Sequence, residues 1–319
     1  MSDPVLAARN LRIHYRTKRG PVHAVDGVSF DLRAGETLGV VGETGSGKST
    51  LGKSVLGILP PGSTKEGELI FEGKNLLTLP DGELRRLRGK DVALIFQDPM
   101  TRLDPLMTIE DHFLETIRAH ENVSMAEARE RTRAALASMG IPESRLKNYP
   151  HEFSGGMRQR IMIAMGLVMR PKLLVADEPT TSLDVIVEGQ ILEILEDLKR
   201  AYRMSLLLIT HNLGIVAEIC DSVGVMYAGL FVEYGPVRDV FKRPIHPYTR
   251  GLLASIIHLD SKELVSIDGL PPDLVTPPPG CRFHPRCPYV QDVCRTTVPE
   301  WVEYRPGHFA LCHFGRDFL

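Results

Sequence analysis

The chain has 319 residues, enough for one large or two modest domains with ample core. Hydrophobic residues make up 43% and charged residues 24%, the balance of a soluble globular protein, and a formal net charge of −2 gives no global basic signal for nucleic acid. No apolar run approaches the roughly 18 residues that span a bilayer, and Met-Ser-Asp-Pro-Val lacks the basic and apolar regions of a signal peptide, so a cytosolic chain is expected, with any membrane role arising through a partner.

Residues 5–15 and 23–33 alternate as two strands, with Arg-Thr-Lys-Arg-Gly as the turn between them. Thr37–Val41 reads as a short apolar strand feeding a glycine-rich loop, and a helix follows from about Lys48. Asp91–Phe96 is another apolar run, and residues 105–140 are rich in helix formers. Leu173–Ala176 and Leu206–Ile209 read as buried parallel strands. Between them Val187, Ile191, Ile194 and Leu198 fall on one face of a helix. Ser222–Met226 and Leu230–Tyr234 suggest a closing hairpin. Prolines crowd the chain after Pro244, which places a boundary near 243 and a small, loop-rich module beyond it. Strands alternating with helices before that point imply an α/β sheet with helices on its faces.

Gly42-Glu43-Thr44-Gly45-Ser46-Gly47-Lys48-Ser49 matches G-x-x-x-x-G-K-[ST] in full, between a strand and a helix, and with Thr50 these residues are the expected nucleotide contacts. Its glycines let backbone N–H groups curl around the β- and γ-phosphates. Lys48 neutralises phosphate charge, and Ser49 can ligate Mg²⁺. Asp177, at the tip of Leu173–Ala176, can hold Mg²⁺ through water, and Glu178 is placed to polarise the attacking water. His211 follows Leu206–Thr210 at another strand end, where ligands gather in open α/β sheets. Gln97 ends the 91–96 run and could reach Mg²⁺ or the water. Ser154, Gly155 and Gly156 offer a hydroxyl and approachable backbone N–H groups at a helix start, a second anion site suited to facing another protomer; an ordinary helix cap is the plainer alternative.

These motifs, in this order across about residues 5–240, resemble the ATP-binding subunits of ABC transporters. The resemblance makes Gln97 the Q-loop, Ser154–Met157 the signature, Ser182-Leu183-Asp184 the D-loop and His211 the switch histidine. Tyr15 falls where the family's adenine-stacking aromatic stands. Phe96-Gln97-Asp98-Pro99, Ser154-Gly-Gly-Met-Arg-Gln-Arg160 and His246-Pro247-Tyr248-Thr249 are similar to the oligopeptide/dipeptide branch, as are Pro279-Gly280-Cys281 and His284-Pro285-Arg286-Cys287-Pro288. The signature departs from the usual pattern at Phe153, where Leu stands, and at Met157, where Gln stands.

The implied fold is a P-loop NTPase core of ABC ATPase type over 1–243. It would carry an N-terminal antiparallel β subdomain and an α-helical subdomain at about 98–160. A cysteine-bearing extension would occupy 244–319. The implied function is ATP hydrolysis coupled to uptake of di- or oligopeptides, at the cytoplasmic face of the membrane. Import of oligosaccharides or nickel chelates is the alternative within the branch; a soluble ABC-type ATPase acting on nucleic acid or ribosomes is the alternative outside it. Implied partners are a related ATP-binding subunit, two permease subunits and an extracytoplasmic solute-binding protein. Two ATP-binding domains would pack head to tail, each signature meeting the other's ATP, and Gln97 with residues 98–150 would touch the permease.

Cys281, Cys287, Cys294 and Cys312 are spaced C-x₅-C-x₆-C-x₁₇-C, which favours a metal over disulfides in a reducing compartment. Spacing alone leaves zinc and an iron–sulfur centre open. The resemblance implies a four-iron four-sulfur cluster, with zinc as the alternative and His284 and His313 as neighbours outside the ligand set. Four thiolates could stand in for a hydrophobic core that the proline-rich module would lack. Cys220, beside Ile215, Val216 and Ile219, is expected in the core.

Overall fold

The computed structural model describes residues 3–96, 102–180, 185–255 and 266–319. Gln97 and the D-loop residues Ser182, Leu183 and Asp184 lie outside the described residues. In chain order the strands and helices begin with β1 (Leu6–Thr17), β2 (Gly20–Leu32), β3 (Thr37–Val41), α1 (Lys48–Val55), β4 (Thr64–Phe71) and β5 (Lys74–Asn75). There follow α2 (Asp81–Leu87), β6 (Val92–Ile95), α3 (Ile109–His120), α4 (Met125–Ser138), α5 (Gly155–Leu167), β7 (Leu173–Asp177), α6 (Val185–Tyr202) and β8 (Ser205–Ile209). The chain closes with α7 (Leu213–Ile219), β9 (Ser222–Tyr227), β10 (Leu230–Pro236), α8 (Val237–Lys242), α9 (Pro247–Ala254), α10 (Asp292–Thr296), β11 (Trp301–Arg305) and β12 (His308–Leu311).

Two compact units form, one from residues 1–78 and 209–319, the other from 79–208. In the first, β1 and β2 pair antiparallel as their alternation predicts, and β4 and β5 extend that sheet in the order β2-β1-β4-β5. β4 escapes the sequence reading because Thr-Lys-Glu-Gly-Glu carries no alternating apolar face; its first five residues are all exposed. A second sheet of this unit runs β11-β12-β10-β9-β3, with β3 parallel to β9 and the rest antiparallel. β3 is buried along its whole length, as a two-face-covered parallel strand must be.

Residues 244–319 remain within the first unit. β12 pairs with β10 through Glu233↔Ala310 and Tyr234↔Phe309, and Phe283 is buried in the cluster that holds Val41, Val225, Tyr227 and Tyr248. The expectation that the cysteine-bearing residues lack a hydrophobic core is therefore corrected: they share the core of the phosphate-loop unit. Cys220 is half-buried and packs against this same cluster.

In the second unit, β6 runs parallel to β7, and α6 is the longest helix among the described residues. The helical stretch read at 105–140 is two helices. Thr108 caps α3 by accepting from Asp111 N, and Ser124 caps α4 by accepting from Glu127 N. Among the described residues no helix is long and apolar enough to cross a membrane.

Candidate functional site

β3 delivers the chain into the phosphate loop against β9. Gly42 has φ 147°, and a Cβ there would meet the Met226 carbonyl oxygen at 2.0 Å, so only glycine fits this close approach. Lys48, buried at the start of α1, reaches back over the loop. Its ammonium donates to the carbonyls of Gly42 at 2.8 Å and Glu43 at 3.0 Å. Thr44 and Gly45 form the exposed tip, Ser49 is half-buried, and Ser46 Oγ is buried without a hydrogen-bond partner. A cradle of close-packed glycines, a folded-back lysine and an orphaned hydroxyl fit a polyphosphate.

Side chains from several elements of the first unit flank this loop. The Tyr15 hydroxyl donates to Thr50 Oγ1 at 2.6 Å, which fixes its ring beside the start of α1, and burial raises its phenol pKa. Thr210 N donates to Val40 O at 3.2 Å, so His211, exposed at the next position, follows a strand end tied to β3. Asn212, which sequence reasoning missed, caps α7 by accepting from Gly214 N and Ile215 N. Tyr248 and Arg286, also missed, both bond to Glu43 of the loop.

In the second unit, Asp177 is buried at the end of β7, and Glu178 follows with φ 49°. A non-glycine residue held in the left-handed region costs of order 1–3 kcal/mol and is characteristic of functional sites. Two contacts brace the turn that follows: buried Gln159 Nε2 donates to Pro179 O, and Thr180 Oγ1 donates to Glu188 Oε1 at 2.6 Å. Gln159 belongs to α5, so this bond joins the Ser-Gly-Gly helix to the Asp-Glu turn. Ser154 caps that helix by accepting from Met157 N at 3.4 Å. Gly155 has open space around its Cβ position, so no packing within the chain demands a glycine there. Phe153 is buried, with the Arg145 guanidinium 4.6 Å above its ring, which accommodates the larger side chain at the usual leucine position.

Cys281, Cys287, Cys294 and Cys312 converge on one cavity, which His246, His284 and His313 also line. Burial pushes the Cys281 thiol up to about 11 and the Cys312 thiol up to about 12, and it raises Cys287, with neighbouring cysteines adding to each shift. One ring nitrogen of His284 lies on Cys281 O at 2.9 Å, and one of His313 lies on Thr297 O at 2.9 Å.

This fold and loop define an ABC-type ATPase. Residues 25–181 match the "ABC transporter" family model, and residues 232–294 match "Oligopeptide/dipeptide transporter, C-terminal region". The chain is 48% identical over 316 residues to the dipeptide transport ATP-binding protein DppD of Bacillus subtilis, covering 97% of this chain and 94% of that protein. It is 47% identical over 315 residues to the oligopeptide transport ATP-binding protein OppD of Escherichia coli, covering 98% and 93%. Among solved structures, cbiO1 from Clostridium perfringens, part of the ABC transporter complex cbiONQ, is similar with a TM-score of 0.64 and 30% identity over 76% of this chain and 92% of that one. The ADP- and Pi-bound dimer of the ATP-binding cassette MJ0796 shares the fold, with a TM-score of 0.66 and 24% identity over 73% of this chain and 99% of that one. The chain belongs to the family of ATP-binding subunits of oligopeptide/dipeptide ABC transporters.

Proposed function

We propose that this chain hydrolyses ATP to drive uptake of di- or oligopeptides, working at the cytoplasmic face of the membrane with two permease subunits, an extracytoplasmic solute-binding protein and a related ATP-binding subunit. The observation that carries this is the complete phosphate loop, with Gly42 and Gly47 at positions that admit no side chain, in a chain similar along nearly its whole length to peptide-transport ATPases.

In this reading the loop N–H groups and Lys48 bind the β- and γ-phosphates, and Tyr15 stacks on adenine. Ser49 and Asp177 hold Mg²⁺, which supplies charge neutralisation for phosphoryl transfer. Glu178 accepts the proton of the attacking water. Gln97 and His211 orient that water and the γ-phosphate. Ser154, Gly155 and Gly156 serve the partner's ATP, and Asp184 of the D-loop is assigned to nucleotide binding as well; the open space at Gly155 supports this use in trans. Closure of the two domains completes each site, and hydrolysis releases it.

The domain reading is an ATPase domain over 1–243 followed by the family's C-terminal extension over 244–319. Cys281, Cys287, Cys294 and Cys312 hold a four-iron four-sulfur cluster there, in a structural or regulatory role. Four thiols facing one cavity support a metal-bearing centre, since a cation would offset the desolvation that disfavours the Cys281, Cys287 and Cys312 thiolates. Zinc, held by the same four thiolates, is the alternative occupant.

The function is tested by co-purification with the permease subunits and by peptide-stimulated ATPase activity of the assembled complex. Stable isolation on ribosomes or DNA without membrane subunits would sink it. Glu178→Gln should retain ATP and hydrolyse it on the order of 10²–10⁴-fold more slowly; undiminished turnover would remove Glu178 from this role. Iron analysis of anaerobically prepared protein tests the cluster, and zinc without iron would overturn it.

A further inference from the structure

Glu43 is the second residue of the phosphate loop, and a carboxylate there stands against the loop's purpose. A polyphosphate brings several negative charges to the same backbone, and like charges at close range weaken binding unless one is offset. The cysteine-bearing segment supplies the offset. Arg286 Nη1 donates to Glu43 Oε2 at 2.8 Å, and Arg286 Nη2 donates to Glu43 Oε1 at 3.0 Å, a two-pronged guanidinium–carboxylate pair that spans 243 positions of sequence.

The guanidinium is itself fully engaged. Its Nε donates to Asp268 O at 2.8 Å, Nη2 donates to Ile267 O at 3.2 Å, and Nη1 also lies 3.4 Å from the Tyr227 hydroxyl. Its side chain is 5% exposed against 24% for Glu43. Such an arginine has one rotamer available, so it fixes the carboxylate as well as neutralising it. The backbone of Glu43 is held at the same time. Its N–H donates to the Tyr248 hydroxyl at 3.0 Å, and its carbonyl accepts from Lys48, the residue that faces phosphate. Tyr248 and Tyr227 pack on Phe283, with ring centroids 5.4 Å and 5.2 Å away, and Phe283 lies between Cys281 and Cys287. Arg282, beside Cys281, donates to Asp26 and to Ala228 O at the strands flanking the loop.

We infer that Arg286 is a positioning residue of the ATP site: it neutralises and pins Glu43, and through it the cysteine-bearing segment sets the affinity of the phosphate loop for ATP. This rests on the phosphate-loop reading above. It adds a distant residue that touches neither phosphate nor metal and acts only through Glu43.

The test is a cycle of ATP affinities on the full chain with Mg²⁺-ATP, using Arg286→Gln, Glu43→Gln and the double variant. Arg286→Gln should weaken ATP binding on the order of tenfold, because it leaves the Glu43 carboxylate without its counter-charge beside the triphosphate. The same substitution made in the Glu43→Gln background should change affinity less than about twofold. A purely structural arginine would weaken binding equally in both backgrounds, and that result overturns the inference, as does unchanged affinity in folded Arg286→Gln. If Arg286→Gln does not fold, Arg286→Lys keeps the charge and loses the two-pronged contact; its loss of affinity should likewise vanish when Glu43 is Gln, and persistence of the loss overturns the inference. Lys48→Ala, run alongside, separates the two levels. ATP retained at full affinity by that variant overturns the phosphate-loop reading and this inference together. ATP lost there, with Arg286→Gln equal in both backgrounds, overturns this inference alone.

Discussion

At Gly47 a methyl group would sit 1.9 Å from the Ala24 carbonyl oxygen, and the residue has φ 110°. Gly47→Ala should therefore lower stability by more than about 1 kcal/mol and abolish nucleotide binding, measured by thermal unfolding with and without ATP. Unchanged melting and unchanged ATP-induced stabilisation would contradict this. His246 makes a different point. It is fully buried and caps α9 by accepting from Tyr248 N at 3.1 Å, and burial pushes its pKa down to about 3 from an ordinary 6.5. Above pH 6.5 the ring is neutral folded and unfolded. Below it only the unfolded chain takes up the proton, so this residue makes stability fall by about 1.4 kcal/mol per pH unit towards pH 3. His246→Asn keeps a capping acceptor and removes the titration. Urea unfolding of that variant should show a flatter acid-side decline than the unaltered chain, and equal slopes would refute it.

The elements that sequence reading recovers share one property: their pattern is local. β3, β7 and β8 are continuous apolar runs buried end to end, and α6 carries its apolar stripe at helical spacing. β12 has no such signature. His-Phe-Ala-Leu becomes a strand because β10 offers an edge, and Glu233 at that edge gathers three donors. Its carboxylate accepts from Ile245 N at 2.8 Å and His246 N at 2.9 Å and lies 2.7 Å from His308 Nε2, with Glu233 and His308 both fully buried. Glu233→Ala should leave each of those groups without an acceptor, at about 1–3 kcal/mol apiece. Hydrogen exchange should then rise first across β11 and β12; protection equal to that of the unaltered chain would show that the strand pairing alone suffices.

At the scale of the molecule, the segment after residue 243 is built into the phosphate-loop unit through β12, Phe283, Arg282 and Arg286. The metal centre proposed there would then stabilise the ATP-binding core as well as its own loops. Replacing Cys281, Cys287, Cys294 and Cys312 by Ser should remove bound metal and lower Tm by a few degrees per kcal/mol lost. The transition should remain single for the phosphate-loop unit. Separate melting of residues 244–319 would contradict the shared core.

The sequence by itself determined the phosphate loop, the Asp177-Glu178 strand tip, the capped Ser-Gly-Gly helix and the family. Each is a run of neighbouring residues whose conformation follows from glycine freedom, capping and apolar periodicity. Only the tertiary structure decided that Arg286 reaches Glu43, that Gln159 braces Pro179 and that Glu233 meets His308. Those pairings depend on which distant chain segments the shared core brings together, and separation along the chain carries no record of that.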